Sequence, residues 1–474
     1  LLTELAASHL VTTEHPVTTE QLVTTEHPVT AASADVRQRY GMLDLIAEYA
    51  AARAAEIDSE PARTAALDRL YTYLTVMARA ATHALWPSEV PEPDGRDRAP
   101  VFAGPEPARA WLDEHRDDLL VVATGLQRAG RPRPLLDLAN SLYRYLDHGG
   151  YLDQAAAIQQ MAIDAARAVS DHGELAIALV RLGGVLVRRG QAERAETVLT
   201  EALELSTRHG NLRGQAMAAG NLGRVAYRRG AYDAALAYQL TALDRFRAAG
   251  YDVGVARTLT NLAIVRKARG ELNEALHDLD EAREICQRCQ AFEAAARVAG
   301  TAAGIHRIQG KLAEADAEYR TAIELFRSFG DRLGEATALS HLGLVRSDQD
   351  RHAQAIELHE EALRIFTAVG DEGGTIDTLL SLGTALRSSG RYVSAMRCHQ
   401  EALERAASVG DQAQVARAHG ELAMDQAAQA TRPDVDALAA YSAARKHLSE
   451  SLNAFHELGI APPAEVTALA ARLG

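Results

Sequence analysis

Apolar residues recur along most of the chain at three- and four-residue spacing. In the stretch 334–349, Ala338, Leu339, Leu342 and Val345 fall on one stripe, and in 392–408 Ala395, Ala402 and Leu403 do the same. That spacing predicts helices that each bury one face. The stripes repeat every 40 residues: Leu182, Leu222, Leu262, Leu342 and Leu382 hold one register, followed by Gly183, Gly223, Ala263, Gly343 and Gly383. Alanine recurs at 195, 235, 275, 315, 355 and 395, and again at 202, 242, 282, 322, 362 and 402. Two glycine series punctuate the copies. One is Gly190, Gly230, Gly270, Gly310 and Gly390 with Asp350 in its gap; the other is Gly210, Gly250, Gly330, Gly370 and Gly410 with Gln290 in its gap. Glycine adopts the left-handed turn that ends a helix at little cost, so each copy reads as two amphipathic helices. Six such copies cover 171–410, and since neither helix of a pair can bury its face alone, the pairs must stack.

The pattern continues more faintly at both ends. An earlier copy lies at 131–170, with Leu142, Gly150, Ala155 and Ala162 in register. A divergent copy spans 411–459, where Leu422, Ala444 and Leu452 match after a nine-residue insertion around 430–436. Residues 460–474 predict a short capping helix behind Pro462 and Pro463. Upstream the period is lost. Helical patterns run over Asp44–Ile57, Ala62–Leu85 and Pro107–Arg128, with a Pro-rich loop at 87–107. The chain thus divides into segments 1–60, 61–130, 131–459 and 460–474. The segment LVTTEHPVT occurs at both 10–18 and 22–30; its β-branched residues, broken by Pro16 and Pro28, read as a β-hairpin wing or an irregular Thr/Pro loop.

Composition sharpens this to an all-α protein, because Ala, Leu, Glu and Arg dominate and aromatic residues make up only 5%. The formal charge of −14 argues against a general nucleic-acid binder, though a local basic stripe is compatible with an acidic total. Three cysteines are too few for a disulfide framework, which suggests a cytoplasmic location. No stretch is apolar enough for a membrane span. The chain starts on Leu1 rather than Met, as expected of a piece of something longer.

The unit L-G-x-V-x-x-x-x-G-x-x-x-x-A-x-x-x-x-x-x-A-L resembles the tetratricopeptide repeat (TPR) helix pair, which implies a right-handed superhelical solenoid. LLTELAASHLV at the start, with RYGMLDLIAEYA at 39–50, resembles the end of the winged-helix segment that follows the nucleotide-binding domain in bacterial STAND (NB-ARC) regulators. AWLDEHRDDLL at 110–120 resembles the helix that opens their repeat region. Together these are similar to the C-terminal region of an actinobacterial regulator of antibiotic biosynthesis of the SARP/AfsR type, with a small winged-helix remnant in 1–60. The resemblance implies a non-catalytic sensor controlling a nucleotide switch and a DNA-binding domain upstream, with ATP or ADP bound only there. A stand-alone scaffold or signalling-peptide receptor is the alternative.

In a helix-pair solenoid the first helix of each pair lines the concave side. By register, the residue before the shared Leu faces the groove: Asn221 and Asn261, with Arg181, Thr301, His341 and Ser381 in other copies. An Asn amide both donates to and accepts from one peptide unit, so a ladder of them suits an extended peptide. The alternative use is fastening the backbone of the neighbouring helix. Further groove positions are Arg188, Arg224, Tyr227, Arg228, Arg257, Lys267, Arg297, Arg307 and Arg387. Such a set would attract an acidic peptide or an acidic surface of a partner domain, the upstream nucleotide-binding domain included, although Arg also simply solvates helix faces.

Other chemistry is weak. The run Gly304 to Lys311 has the wrong glycine spacing for a phosphate loop and Leu312 where Ser or Thr should hold magnesium. Cys286 and Cys289 form a C-x-x-C near a helix end with no second pair, which predicts packing rather than zinc or redox work. His359 and His399 share one position in successive copies, with His341 and His352 nearby, but no H-E-x-x-H or G-x-S-x-G occurs. No enzyme, metal or cofactor is expected in this chain.

Overall fold

The computed structural model describes residues 11–14, 39–42, 53–54, 56–86, 102–433 and 435–473. It separates into two compact units, 1–73 and 74–474. In the first, β1 (Val11–Glu14) pairs antiparallel with β2 (Arg39–Met42), Val11 opposite Met42 and Glu14 opposite Arg39. Residues 11–14 of the first copy of the Thr-rich segment are therefore a strand, whose partner lies well downstream. The second copy falls outside the described residues, as does most of the Asp44–Ile57 pattern.

The rest is helical. Helix α1 (Glu60–Leu85) is followed by α2 (Pro105–Arg128), and then the pairs begin. They are α3 (Pro132–His148) with α4 (Leu152–Ala168), α5 (His172–Arg188) with α6 (Ala192–Arg208), and α7 (Leu212–Arg228) with α8 (Tyr232–Ala248). Next come α9 (Asp252–Ala268) with α10 (Leu272–Cys289), α11 (Phe292–Ile308) with α12 (Leu312–Phe329), and α13 (Arg332–Asp348) with α14 (His352–Val369). The last pairs are α15 (Glu372–Ser388) with α16 (Tyr392–Ser408) and α17 (Gln412–Gln429) with α18 (Ala437–Glu457); α19 (Ala464–Leu473) closes the array. From α2 onward each helix packs on the next, and an apolar seam runs between them, with Leu259, Leu262 and Leu279 buried in one pair and Leu339 and Leu342 in a later one. The terminal helix covers the exposed end of that seam by burying Val466 and Leu469 against Ala423, Ala444 and Leu448.

The forty-residue punctuation has a local cause. At the end of α6 the amide of Gly210 donates to the Thr207 carbonyl and that of Asn211 to the Ser206 carbonyl, 2.8 Å away, satisfying carbonyls the helix leaves open. Asn211 then accepts from the Gly214 amide with its side chain, starting α7. Asp171, Asp331, Asp371 and Asp411 cap the first helices of their own pairs in the same way. The turn residue needs positive φ. Glycine supplies it nearly everywhere, and the three non-glycine residues with positive φ among those described take its place, Ser170 and Gln290 in turns between copies and Asp350 in the turn within one. Gln290 and Asp350 are the two gap-fillers of the glycine series.

A side chain in the left-handed region costs roughly 1–2 kcal/mol that glycine avoids, partly offset by the greater freedom of glycine in the unfolded chain. Gln290→Gly is therefore expected to raise stability by about 1 kcal/mol in urea denaturation, with an unchanged m-value.

Candidate interaction site

The contacts separate an inner from an outer face. Ion pairs between second helices reach only the next copy: Arg167 with Glu201 and Arg247 with Glu281, each 2.7 Å, and Arg327 with Glu361 at 2.9 Å. Side chains on first helices reach much farther. Arg144 of α3 meets Glu293 of α11 at 3.2 Å, Arg188 of α5 is within electrostatic reach of Arg297 on α11, and Tyr143 of α3 feels Arg257 of α9. Residues three and four copies apart converge there, so the first helices form the concave wall.

The wall closes on itself at one end. Glu293 binds Arg144 and Arg257, with the imidazole of His148 at 3.8 Å; His148 also lies 3.9 Å from Asp331 and packs on Trp86 with ring centroids 5.3 Å apart. Beside it, Gly150 sits so close to Leu333 and Val369 that a methyl group there would crowd both. Burial would raise the pKa of Glu293, but Arg257, Arg144 and His148 outweigh it and hold the carboxyl below the usual range. The α3–α4 turn is thus clasped onto α11, α13 and α14.

The register-predicted groove residues divide into two groups. Arg188 binds Asp147 at 2.6 Å and Arg307 binds Asp348 at 2.6 Å, each one copy away. Arg387 binds Glu421 at 2.8 Å and Asp425 at 2.9 Å, and Arg257 is paired with Glu293. These four charges are consumed in holding copies together. The second group retains its capacity. Arg224 donates to Asn221 Oδ1 at 3.1 Å and Arg228 to the Val187 carbonyl at 3.1 Å, and neither meets a carboxylate among the described residues. Arg297 and Lys267 make no ion pair there, and the Asn261 amide makes no hydrogen bond. Among the described residues neither Asn bonds a neighbouring backbone. Tyr227 packs on Tyr232, centroids 5.7 Å apart. Arg181, known only by register, bonds Asn140 and stacks over Tyr143 at 4.6 Å.

This second group is electrostatically unbalanced. Desolvation pushes the Arg224 guanidinium down to about 10, and the charges of Arg297 and Arg188 add to the effect while Asp147 opposes it. Desolvation with Arg257 lowers Arg297, and desolvation lowers Lys267. The side chain of Arg297 is reachable from water, with Arg257 and Arg188 opposed there by Glu293 and Asp331.

The other polar motifs resolve into structure. Cys286 and Cys289 are free thiols, and burial with the neighbouring Cys289 pushes Cys286 up to about 11. Gly304 and Lys311 belong to α11 and the turn after it. His359 and His399 are fully buried, one over Gly343 and the other over Gly383. His399 contacts Asp425 at 2.6 Å and the Leu380 carbonyl at 3.1 Å. Among the described residues His359 has only Ser340, at 3.4 Å, and burial together with His341 lowers its pKa to about 4. His341, on the concave wall, is lowered to about 4 by desolvation, Lys267 and Arg307. Sequence reasoning missed one group: His419, His447 and Glu450 converge between α17 and α18. The signal was His419 itself, a polar residue in a column otherwise filled by Leu179, Ala219, Leu259, Ala299, Leu339 and Leu379. Among the described residues no helix is long and apolar enough to cross a membrane.

Models of the tetratricopeptide repeat match residues 214–288, 294–368 and 375–409. No curated protein matches the chain. Among solved structures, a Rap protein complexed with competence and sporulation factor is 15% identical, covering 72% of this chain and 96% of that one, with a TM-score of 0.49. A STAND protein with a tetratricopeptide repeat sensor from Pyrococcus horikoshii is 14% identical, covering 67% and 52%, with a TM-score of 0.44. BtubC from P. vanneervenii is 19% identical, covering 46% and 92%, with a TM-score of 0.40. The array is an all-helical tetratricopeptide-repeat solenoid.

Two outcomes follow from the buried charges. Glu293→Gln leaves two guanidinium groups without their carboxylate, so stability is expected to fall by about 3 kcal/mol and amide exchange to accelerate at 145–151. For His359, a folded pKa below the unfolded value of 6.5 means that the unfolded chain takes up a proton the folded chain refuses. Stability is then complete above that value and is lost as pH falls toward 4. His359→Leu, which places over Gly343 the residue that Leu199 places over Gly183, is expected to fold and to flatten that part of the stability–pH curve.

Proposed function

We propose that this chain is the sensor and regulatory end of a bacterial transcription regulator of the SARP/AfsR type, binding an acidic peptide or the acidic surface of a partner domain on its concave wall. The observation that carries the binding reading is the retained positive charge of Arg224, Arg228, Arg297 and Lys267 inside a chain of net charge −14. The free amide of Asn261 adds a donor and an acceptor for the backbone of an extended ligand. Residues 1–60 are the winged-helix remnant, 61–130 the linker, 131–459 the repeat array and 460–474 its cap. Support for the remnant is the antiparallel pairing of Val11–Glu14 with Arg39–Met42, beside the RYGMLDLIAEYA resemblance.

In this reading the array does no chemistry. A ligand in the groove shifts the equilibrium of an upstream NB-ARC switch, which alone holds ATP or ADP, by binding one state more tightly than the other. Sequence encoding G-x-x-x-x-G-K-[ST] upstream of this reading frame would support that context, and a reading frame without it would favour a stand-alone receptor.

The binding test is calorimetric titration of the chain with a Glu-rich octapeptide. Arg224→Glu combined with Arg297→Glu is expected to weaken binding at least tenfold, about 1.4 kcal/mol, and the affinity of the parent to fall as salt is raised. Equal affinity in parent and variant would discard the concave wall as the site.

A further inference from the structure

His419, His447 and Glu450 bring one ligand atom each to within 4.8 Å of one another. The two imidazoles approach Nδ1 to Nδ1 at 2.8 Å, and Nε2 of His419 lies 3.2 Å from a Glu450 oxygen. His447 and Glu450 are three residues apart on α18 and so share a face, while His419 approaches from α17. Both histidines are half-buried and Glu450 is open to solvent, so an ion has a path in.

The register of the repeat makes this group anomalous. The column of His419 holds buried Leu or Ala in every earlier copy from Leu179 to Leu379. Counting back through the nine-residue insertion, His447 corresponds to Cys398. In the preceding copy Leu379 and Cys398 belong to one apolar cluster. The last pair of helices has therefore replaced an ordinary apolar contact by two facing imidazoles, which packing does not require. Without a further partner the exchange is unfavourable, since two neutral rings share one hydrogen bond and protonating both would set like charges together. Burial lowers the pKa of both rings, and the His419 ring adds to the effect on His447.

We propose that His419, His447 and Glu450 bind a divalent transition-metal ion, zinc by preference, between α17 and α18. Imidazole nitrogen with carboxylate oxygen is a donor set that suits zinc, and three protein ligands leave the fourth tetrahedral position to water. Bond lengths of about 2.0–2.1 Å place two nitrogens on tetrahedral zinc ~3.3 Å apart, so the rings need separate only slightly from their present approach. The ion would staple α18 to α17 at the end of the array and make the stability of that end depend on metal.

The test uses the full chain, stripped with chelator and titrated with zinc chloride by calorimetry and thermal unfolding. Seventeen histidines and three cysteines make background binding certain, so the readout is the difference from His419→Leu, a residue native to this column in four other copies. The parent is expected to bind one zinc ion more than His419→Leu and to gain several degrees in Tm with zinc. The variant should fold and show neither effect, and Glu450→Gln should weaken the extra site about tenfold. Equal stoichiometry and equal zinc-induced shift in parent and His419→Leu, or no zinc-dependent shift in the parent, would overturn the assignment.

Discussion

The close approach of the two helices in each pair sets everything else. Gly183, Gly223, Gly343 and Gly383 lie against Leu199, Gln239, His359 and His399, and a Cβ at any of the four glycines would overlap the facing side chain. With no Cβ on one side, the large residue on the other lies flat on a backbone, and in two of the four pairs its polar end meets a carbonyl. Gln239 donates to the Gly220 carbonyl at 2.9 Å, and His399 Nε2 sits 3.1 Å from that of Leu380. One column thus tolerates Leu, Gln and His while keeping the spacing constant, because the small residue rather than the large one fixes the distance.

Constant spacing brings first helices together across several copies, and that concentrates charge. Guanidinium groups from α5, α7, α9 and α11 enter one region with few carboxylates to meet them. Asp147, Glu293 and Asp348 each sit one copy or more from the arginine they neutralise. What remains, Arg224, Arg297 and Lys267, is lowered in pKa by its surroundings. An acidic ligand would offset the crowding of like charge, whereas a neutral one would only bury these cations further. The clasp of Arg144 and His148 on Glu293 bounds the same region, so a ligand and the clasp compete for the same field.

Much of this was legible in the sequence, and the limits are physical. Helix pairs and their ends were readable because they rest on local spacing, and even the irregular turns at Gln290 and Asp350 appeared as gaps in a series. Two of the four neutralised arginines carried a signal that helix periodicity ignores: Arg188 and Asp147 are 41 residues apart, as are Arg307 and Asp348. An acid one repeat away, offset by one position, marks a structural cation. The Arg144–Glu293 contact spans 149 residues and has no such mark. It depends on accumulated curvature, a property of the array rather than of any window of sequence.

The final copy shows what an end repeat needs. Asp425, fully buried, stands in the column of Val185, Val225, Val265, Ile305, Val345 and Ala385. It takes contacts from His399 at 2.6 Å and Arg387 at 2.9 Å, both supplied by the copy before. An interior pair gains apolar burial from two neighbours, but the last has only one pair before it and the short α19 after it. Here directional bonds replace part of that burial. They fix the register of α17 on α16 more tightly than interchangeable aliphatic contacts can, and they make the end fragile in a specific way. Removing either donor would strand a carboxylate out of water, whereas trimming an aliphatic side chain would leave only a cavity. Polar residues in apolar columns, Asp425 and His419 alike, are therefore where the array trades tolerance to substitution for a defined end.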